Sequence, residues 1–221
     1  MALSHISHGM SLAELVSRIS SSVRTSYPMS LIVGLYVRSG IYHGGAMQQA
    51  IPMIKKFLET VKETFQFETI EQIENNSNLM NFVTCYVDNL LSSRSGSHKI
   101  FGFGHRIHKS PLETELLSDP RAIEYLSIRN NIFLETNPIE LRLSDIFVGI
   151  IRKTKPSLGC NSDYAIALFC VLLNVPENDA EKMFTMCRIP GLCARIVREL
   201  LGKANSRSPF PIVLPYIEPK M

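Results

Sequence analysis

Imidazole and carboxylate side chains are the groups best suited to moving protons near neutral pH, and three of them stand at glycine-marked or polar breaks in this sequence. His43 precedes Gly44-Gly45, His105 follows Gly102-Phe103-Gly104, and Asp163 closes Cys160-Asn161-Ser162-Asp163 just ahead of an apolar run. Each therefore belongs at a loop or helix end, where a side chain can face a cleft. A lone histidine is more often a satisfied structural residue, so the chemical reading rests on the three as a set.

The elements that must position them read as helices almost throughout. Ser11-Leu12-Ala13-Glu14 is a capping-box pattern, after which Leu12, Leu15, Val16, Ile19 and Val23 repeat at helical spacing. Met29 to Val37 is apolar on nearly all sides, which predicts a helix buried in a large core or between subunits and ending near Gly40. Ala50, Ile51, Ile54, Leu58, Val61 and Phe65 form one apolar stripe; Leu79, Phe82, Val83, Tyr86, Val87 and Leu90 form another, beyond a polar connector. Ser92 to His98 is a Ser/Gly-rich break, and Ile100 to Ile107 is too rich in glycine for a helix interior.

Asp119-Pro120 and Asn137-Pro138 each set an N-cap before a proline at the first helical position, predicting helices that run to about Glu135 and Lys153. Further helices are expected after Asp163, from about Glu177 to Met186 and from Leu192 to Leu201, followed by an extended, proline-punctuated tail from Pro209 to Pro219. Strand-like alternation is almost absent and no internal repeat is visible, so the fold class is all-α.

Composition narrows the function. Of 221 residues, 45% are hydrophobic and 19% charged, the balance of a soluble globular protein. The longest apolar runs, such as Leu31 to Val37, fall far short of the roughly 20 residues that cross a bilayer, so no membrane span is expected. A formal charge of +3 with dispersed Lys and Arg provides no basic face for nucleic acid. Cys85, Cys160, Cys170, Cys187 and Cys193 are odd in number and lack CxxC or His-rich spacing, which predicts buried thiols in a reducing compartment and no metal site. The first thirty residues, Ser-rich with Arg18, Arg24 and the single acid Glu14, have the composition of a mitochondrial presequence. The capping pattern and helical stripe favour a folded helix instead.

Several short motifs now combine. Tyr42-His43-Gly44-Gly45-Ala46 is similar to the HGGA motif of the citrate synthase family, and Gly102-Phe103-Gly104-His105-Arg106 with Asp119-Pro120-Arg121-Ala122 is similar to its GxGHR and DPRA stretches. Asn161-Ser162-Asp163 matches the family's NxD, Arg188-Ile189-Pro190-Gly191 stands 25 residues after Asp163 where the family has R-x-x-G, and His5-Ile6-Ser7-His8 resembles its upstream HxxH. The order is the family's order. The resemblance runs from about His5 to Arg207 and covers only the later part of the family. It implies a citrate synthase-like helical fold with a small domain over 46–174, a remnant of the large domain over 1–45 and 175–221, and an active site in the cleft between them. It also makes His5 and His8 substrate contacts, which argues against a cleaved presequence.

The resemblance implies condensation of an acyl-CoA, acetyl-CoA or a longer homologue, with oxaloacetate to give citrate or an alkylcitrate plus CoA. Such a reaction needs a base for a weakly acidic proton beside the thioester and a donor for the developing enolate. Asp163 takes the first role and His43 the second, a helix starting at Gly44-Gly45 holding His43 neutral. His105 donates to the oxoacid carbonyl. The two co-substrate carboxylates fall to Arg121 and Arg188, helped by His5 and His8, because guanidinium groups pair with carboxylates as lysine cannot. Arg207 is the nearest candidate for an arginine that reaches a neighbouring subunit's site. Gly102, Phe103, Gly104 and Lys109 match the segment that receives the nucleotide end of CoA. No tightly bound cofactor is implied; acyl-CoA is a co-substrate.

The sequence also departs from the family pattern. Ser7 and Gly9 stand where acidic residues are usual, Met47 replaces the Asn after HGGA, and Leu192 stands where Trp is common. An insertion covers His108 to Ser118, the stretch from His43 to His105 is long, and the helices that normally precede HxxH are missing. The apolar surface those helices would bury favours a partner, a second copy or a separately encoded amino-terminal half. Two alternatives follow: a non-catalytic CoA- or oxoacid-binding subunit, and cleavage of citryl-CoA by the same residues in reverse. The compartment implied is the cytoplasm or the mitochondrial matrix.

Overall fold

Side-chain caps and apolar stripes set the helices of this protein. The computed structural model describes residues 11–40, 45–92, 100–104 and 119–204. In chain order the helices are α1 (Leu12–Ser22), α2 (Tyr27–Arg38), α3 (Gly45–Phe65), α4 (Ile70–Glu74), α5 (Ser77–Ser92), α6 (Pro120–Phe133), α7 (Pro138–Thr154), α8 (Ser162–Leu172) and α9 (Glu177–Ala204). No strand occurs among the described residues, which contain one isolated antiparallel bridge, between Phe103 and Cys160. The all-α expectation holds. The predicted break after Ser92 and the tail from Pro209 lie outside the described residues.

The chain divides into two compact units, one containing Ser39–Cys187 and the other Ser7–Arg38 with Arg188–Met221. In the first unit, α8 packs against α3 and α6, and α7 packs against α4 and α5. Apolar nearly all round, α8 buries Tyr164, Ala165, Ile166, Ala167 and Leu168. The α3 stripe delivers Ala50, Ile51, Ile54, Leu58 and Val61 to the same core, as the spacing predicts, and Met47 and Phe57 join them there. The short α4 lies within the expected polar connector. Thr69 accepts from the Gln72 backbone while the Gln72 side chain accepts from the Thr69 backbone, a complete capping box written plainly as Thr69-Ile70-Glu71-Gln72.

In the second unit α1 and α2 pack closely through small residues. A Cβ added at Gly34 would sit 2.0 Å from Ser17 Oγ and 3.2 Å from the Ala13 carbonyl oxygen, so the helix backbones approach only because that side chain is missing. The face of α2 turned inward is therefore Ser30, Gly34 and Arg38, while Met29, Ile32 and Tyr36 are exposed. The apolar character of α2 is thus presented outward within this chain, not buried in it.

Two predicted helices, Glu177 to Met186 and Leu192 to Leu201, are one. α9 runs unbroken through Pro190. Proline removes one hydrogen bond, that to the Met186 carbonyl, and Met186 and Pro190 both lie on an exposed face where water can serve the freed group. Leu192 and Ile196, fully buried, hold the helix on the other side.

Candidate active site

The Gly102–Gly104 loop is laced to the start of α8. Gly104 N donates to the Gly159 carbonyl at 2.7 Å, Asn161 N donates to the Gly102 carbonyl at 3.0 Å, and Asn161 Nδ2 donates to the Gly104 carbonyl at 2.9 Å. Both glycines are left-handed, with φ of 84° and 77°, a conformation that is strained for other residues. At Gly102 space matters as well: an added Cβ would fall 2.6 Å from Tyr164 Cβ and 2.9 Å from its Cα. The loop therefore lies directly on the first turn of α8.

Asn161 caps that helix in the same stroke. Its Oδ1 accepts from Asp163 N at 2.9 Å and Tyr164 N at 3.3 Å. Asp163 stands half-buried in the first turn of α8, where the aligned peptide dipoles favour negative charge.

A second carboxylate organises the same corner. Asp119 is completely buried, and its Oδ1 accepts from Arg121 N at 3.0 Å and Arg121 Nε at 3.1 Å, while Oδ2 accepts from Arg121 Nη2 at 2.8 Å and Ser162 N at 3.2 Å. One side chain thus caps α6 and reaches the N-terminus of α8. Burial alone would push its pKa up; the hydrogen bonds and charge of Arg121, with the Ser162 amide, outweigh it and hold the carboxyl below its ordinary range. Arg121, read from sequence as a co-substrate contact, is thereby anchored by a bidentate pair.

Behind these groups is an aromatic wall. Phe103 lies 4.9 Å from Tyr164 between ring centroids, and Phe147 stacks on Phe57 at 4.4 Å. The Tyr164 hydroxyl meets Ser144 Oγ at 3.0 Å. Cys160 is buried beneath the loop, and desolvation raises its thiol pKa far beyond the range in which a thiolate forms, so it acts as a small apolar residue. Arg129 is also buried, donating from Nε to the Leu126 carbonyl and pairing with Asp145.

The sequence-predicted set divides accordingly. Asp163, Arg121, Gly102, Phe103 and Gly104 are brought together in one unit around the start of α8. Arg188 belongs to the other unit, where it is buried and its Nη2 lies 3.4 Å from Glu14 Oε1. His5, His8, His43, His105, Lys109 and Arg207 lie outside the described residues. From sequence Ser11 is a helix cap, Asp119 a helix cap within the DPRA match and Asn161 a member of the NxD match; the contacts these side chains make across the fold carry no sequence signal. Glu14 was expected to complete the capping box at Ser11; Ser11 Oγ does accept from Glu14 N at 3.3 Å, but the Glu14 carboxylate turns to Arg188 instead. A buried guanidinium is the stronger partner, being charged and shielded from water.

Among the described residues no group of three or more His, Cys, Asp or Glu side chains is arranged to hold a metal ion, and no helix is long and apolar enough to cross a membrane. None of the five cysteines is in a disulfide.

The family model described as citrate synthase, C-terminal domain, matches residues 1–212. Over 213 residues the chain is 25% identical to the citrate synthase of Corynebacterium glutamicum, covering 92% of this chain and 41% of that protein. With the citrate synthase of Synechocystis sp. it shares 23% identity over 201 residues, covering 89% and 43% respectively. The chain therefore spans less than half the length of these curated relatives. Among solved structures, the citryl-CoA lyase of Hydrogenobacter thermophilus superimposes with a TM-score of 0.66 at 22% identity, over 100% of this chain and 74% of that one. The citrate synthase of Thermotoga maritima superimposes with a TM-score of 0.65 at 17% identity, over 100% and 53%. These two likenesses establish the helical fold.

Proposed function

The chain belongs to the citrate synthase family, and from that premise we propose that it condenses an acyl-CoA with oxaloacetate. Asp163 removes a proton from the carbon next to the thioester, and His43 donates a hydrogen bond to the thioester oxygen as the enolate forms. The enolate carbon attacks the oxoacid carbonyl, whose oxygen takes a proton from His105. Water then cleaves the thioester to release CoA and citrate, or an alkylcitrate where the acyl group is longer. Arg121 and Arg188 receive the co-substrate carboxylates, with His5, His8 and Arg207 as further contacts. Gly102, Phe103, Gly104 and Lys109 receive CoA.

The observation that supports this reading most is the lacing of the Gly102–Gly104 loop to the first turn of α8 through Asn161. Asp163 lies in that turn, so the proposed base and the loop proposed to receive CoA share one rigid support. The Arg121–Asp119 pair fixes a guanidinium beside it. The exposed Met29, Ile32 and Tyr36 of α2 support association with a second copy or with another chain.

The test is thiol release from acetyl-CoA and propionyl-CoA with oxaloacetate, on the wild-type chain and on Asp163→Asn, each checked for folding by circular dichroism. Turnover abolished in Asp163→Asn supports the proposal. Ligand-induced stabilisation with no turnover, alone or with a natural partner, refutes it in favour of a binding subunit. Cleavage of citryl-CoA is a second reading. It uses the same residues in reverse, and the citryl-CoA lyase of Hydrogenobacter thermophilus is the shorter relative of which this chain spans 74%. Product analysis starting from citryl-CoA distinguishes the two.

A further inference from the structure

Glu14 occupies Arg188 from inside the protein. Both belong to the same unit, their side chains are 1% and 5% exposed, and Arg188 Nη2 lies 3.4 Å from Glu14 Oε1. The other carboxylate oxygen, Oε2, is buried with no hydrogen-bond partner among the described residues. The neighbouring Arg18 is engaged by Glu199 at 3.3 Å. Glu14 thus relinquishes the amide it was placed to cap and holds a guanidinium with half of its own hydrogen-bonding capacity unused. Arg188, being buried, needs a counter-charge, and Glu14 supplies it from within the chain.

Resting on the reading of Arg188 as a co-substrate arginine, we propose that Glu14 is a selectivity-determining residue: an internal carboxylate that competes with the co-substrate's carboxylate for Arg188. A guanidinium has edges enough for two carboxylates, but two carboxylates against one buried arginine repel each other where water screens them poorly. An oxoacid whose second carboxylate approaches Arg188 must therefore displace Glu14 or sit against it. An oxoacid with a single carboxylate meets no such opposition. The consequence is a narrowed preference for two-carboxylate over one-carboxylate 2-oxoacids.

The experiment measures Kd for oxaloacetate and for pyruvate by titration calorimetry on the whole chain, with Glu14→Gln as the isosteric neutral variant. Glu14→Gln is expected to bind oxaloacetate about tenfold or more tightly than wild type, with pyruvate affinity unchanged and the gain removed by adding Arg188→Gln. Equal oxaloacetate affinity in wild type and Glu14→Gln, no binding in either, or an equal gain for pyruvate overturns the proposal. Should Glu14→Gln not fold, the wild-type chain still decides. An unopposed desolvated charge pair is worth roughly thirtyfold or more in affinity, so an oxaloacetate preference over pyruvate of that size overturns the proposal and a smaller one supports it. Asp163-dependent thiol release reads the condensing function separately. Turnover with no Glu14 effect leaves that function standing and removes this inference; a Glu14 effect without turnover does the reverse.

Discussion

Replacing Asp119 by Asn tests whether one buried carboxylate holds the corner of the candidate site together. Asn retains an oxygen in place of Oδ1, which still accepts from Arg121 N and Nε. Its amide nitrogen, however, takes the place of Oδ2 and presents hydrogens to Arg121 Nη2 and Ser162 N, which stand 2.8 Å and 3.2 Å from that position. Flipping the amide only moves the mismatch to the other pair. Two hydrogen bonds to a charged acceptor are lost, each worth about 1.5–3 kcal/mol, so the expected destabilisation is about 3–6 kcal/mol. For a chain of this size that corresponds to a fall in Tm of about 10 °C.

Urea unfolding and thermal melts followed by circular dichroism measure the change, and a loss under about 1 kcal/mol would refute the reasoning. The pH dependence supplies a second check. Because the folded pKa lies below the ordinary 3.8, the carboxylate's contribution is fully present above the unfolded value and is lost as pH falls through the folded one. The gap between wild type and Asp119→Asn should hold steady from pH 7 to about 5 and shrink below about 4. A gap that stays constant down to pH 3 would sink the assignment.

Gly102→Ala combines a left-handed φ with a Cβ 2.6 Å from Tyr164, and should cost about 2–5 kcal/mol from strain plus overpacking. Gly104→Ala, which meets only the flexible end of Leu158 at 3.3 Å, should cost about 1–2 kcal/mol; equal losses in urea unfolding would contradict the close approach at Gly102. Thiol labelling of the folded chain should modify the exposed Cys85 first and spare Cys160 and Cys170, which are buried, with the Cys170 thiol pushed up to about 11. Rapid modification of Cys160 before unfolding would contradict the packing beneath the loop.

Apolar period and proline-marked caps made most helices legible in the sequence, because those signals are local. The N-terminus of α6 at Asp119-Pro120 and the stripe of α3 follow directly from them. Pro190 misled for the same reason: its local preference is to start or break a helix, whereas burial of Leu192 and Ile196 across the turn keeps α9 continuous. Hydrophobicity does not tell which face of α2 meets α1, because close helix crossing selects small residues and the packed face is Ser30 and Gly34. In the candidate site, motif order identified Asp163, Arg121 and the Gly102–Gly104 loop as a set, but could not disclose how they are joined.

That joining depends on residues distant in sequence. Asn161 reaches Gly104 across 57 positions, Asp119 reaches Ser162 across 43, and Arg188 reaches Glu14 across 174. Asp119 carries more than a cap could reveal, since its second oxygen meets another helix. Glu14 shows the same limit from the opposite side. Its spacing from Ser11 satisfies a local rule, yet a buried guanidinium from the far end of the chain outcompetes the nearby amide, because charge strengthens the contact and exclusion of water leaves it unscreened. Where a local rule names an acid for a helix cap and the folded chain gives that acid to an arginine, the departure marks the residue whose charge is worth testing.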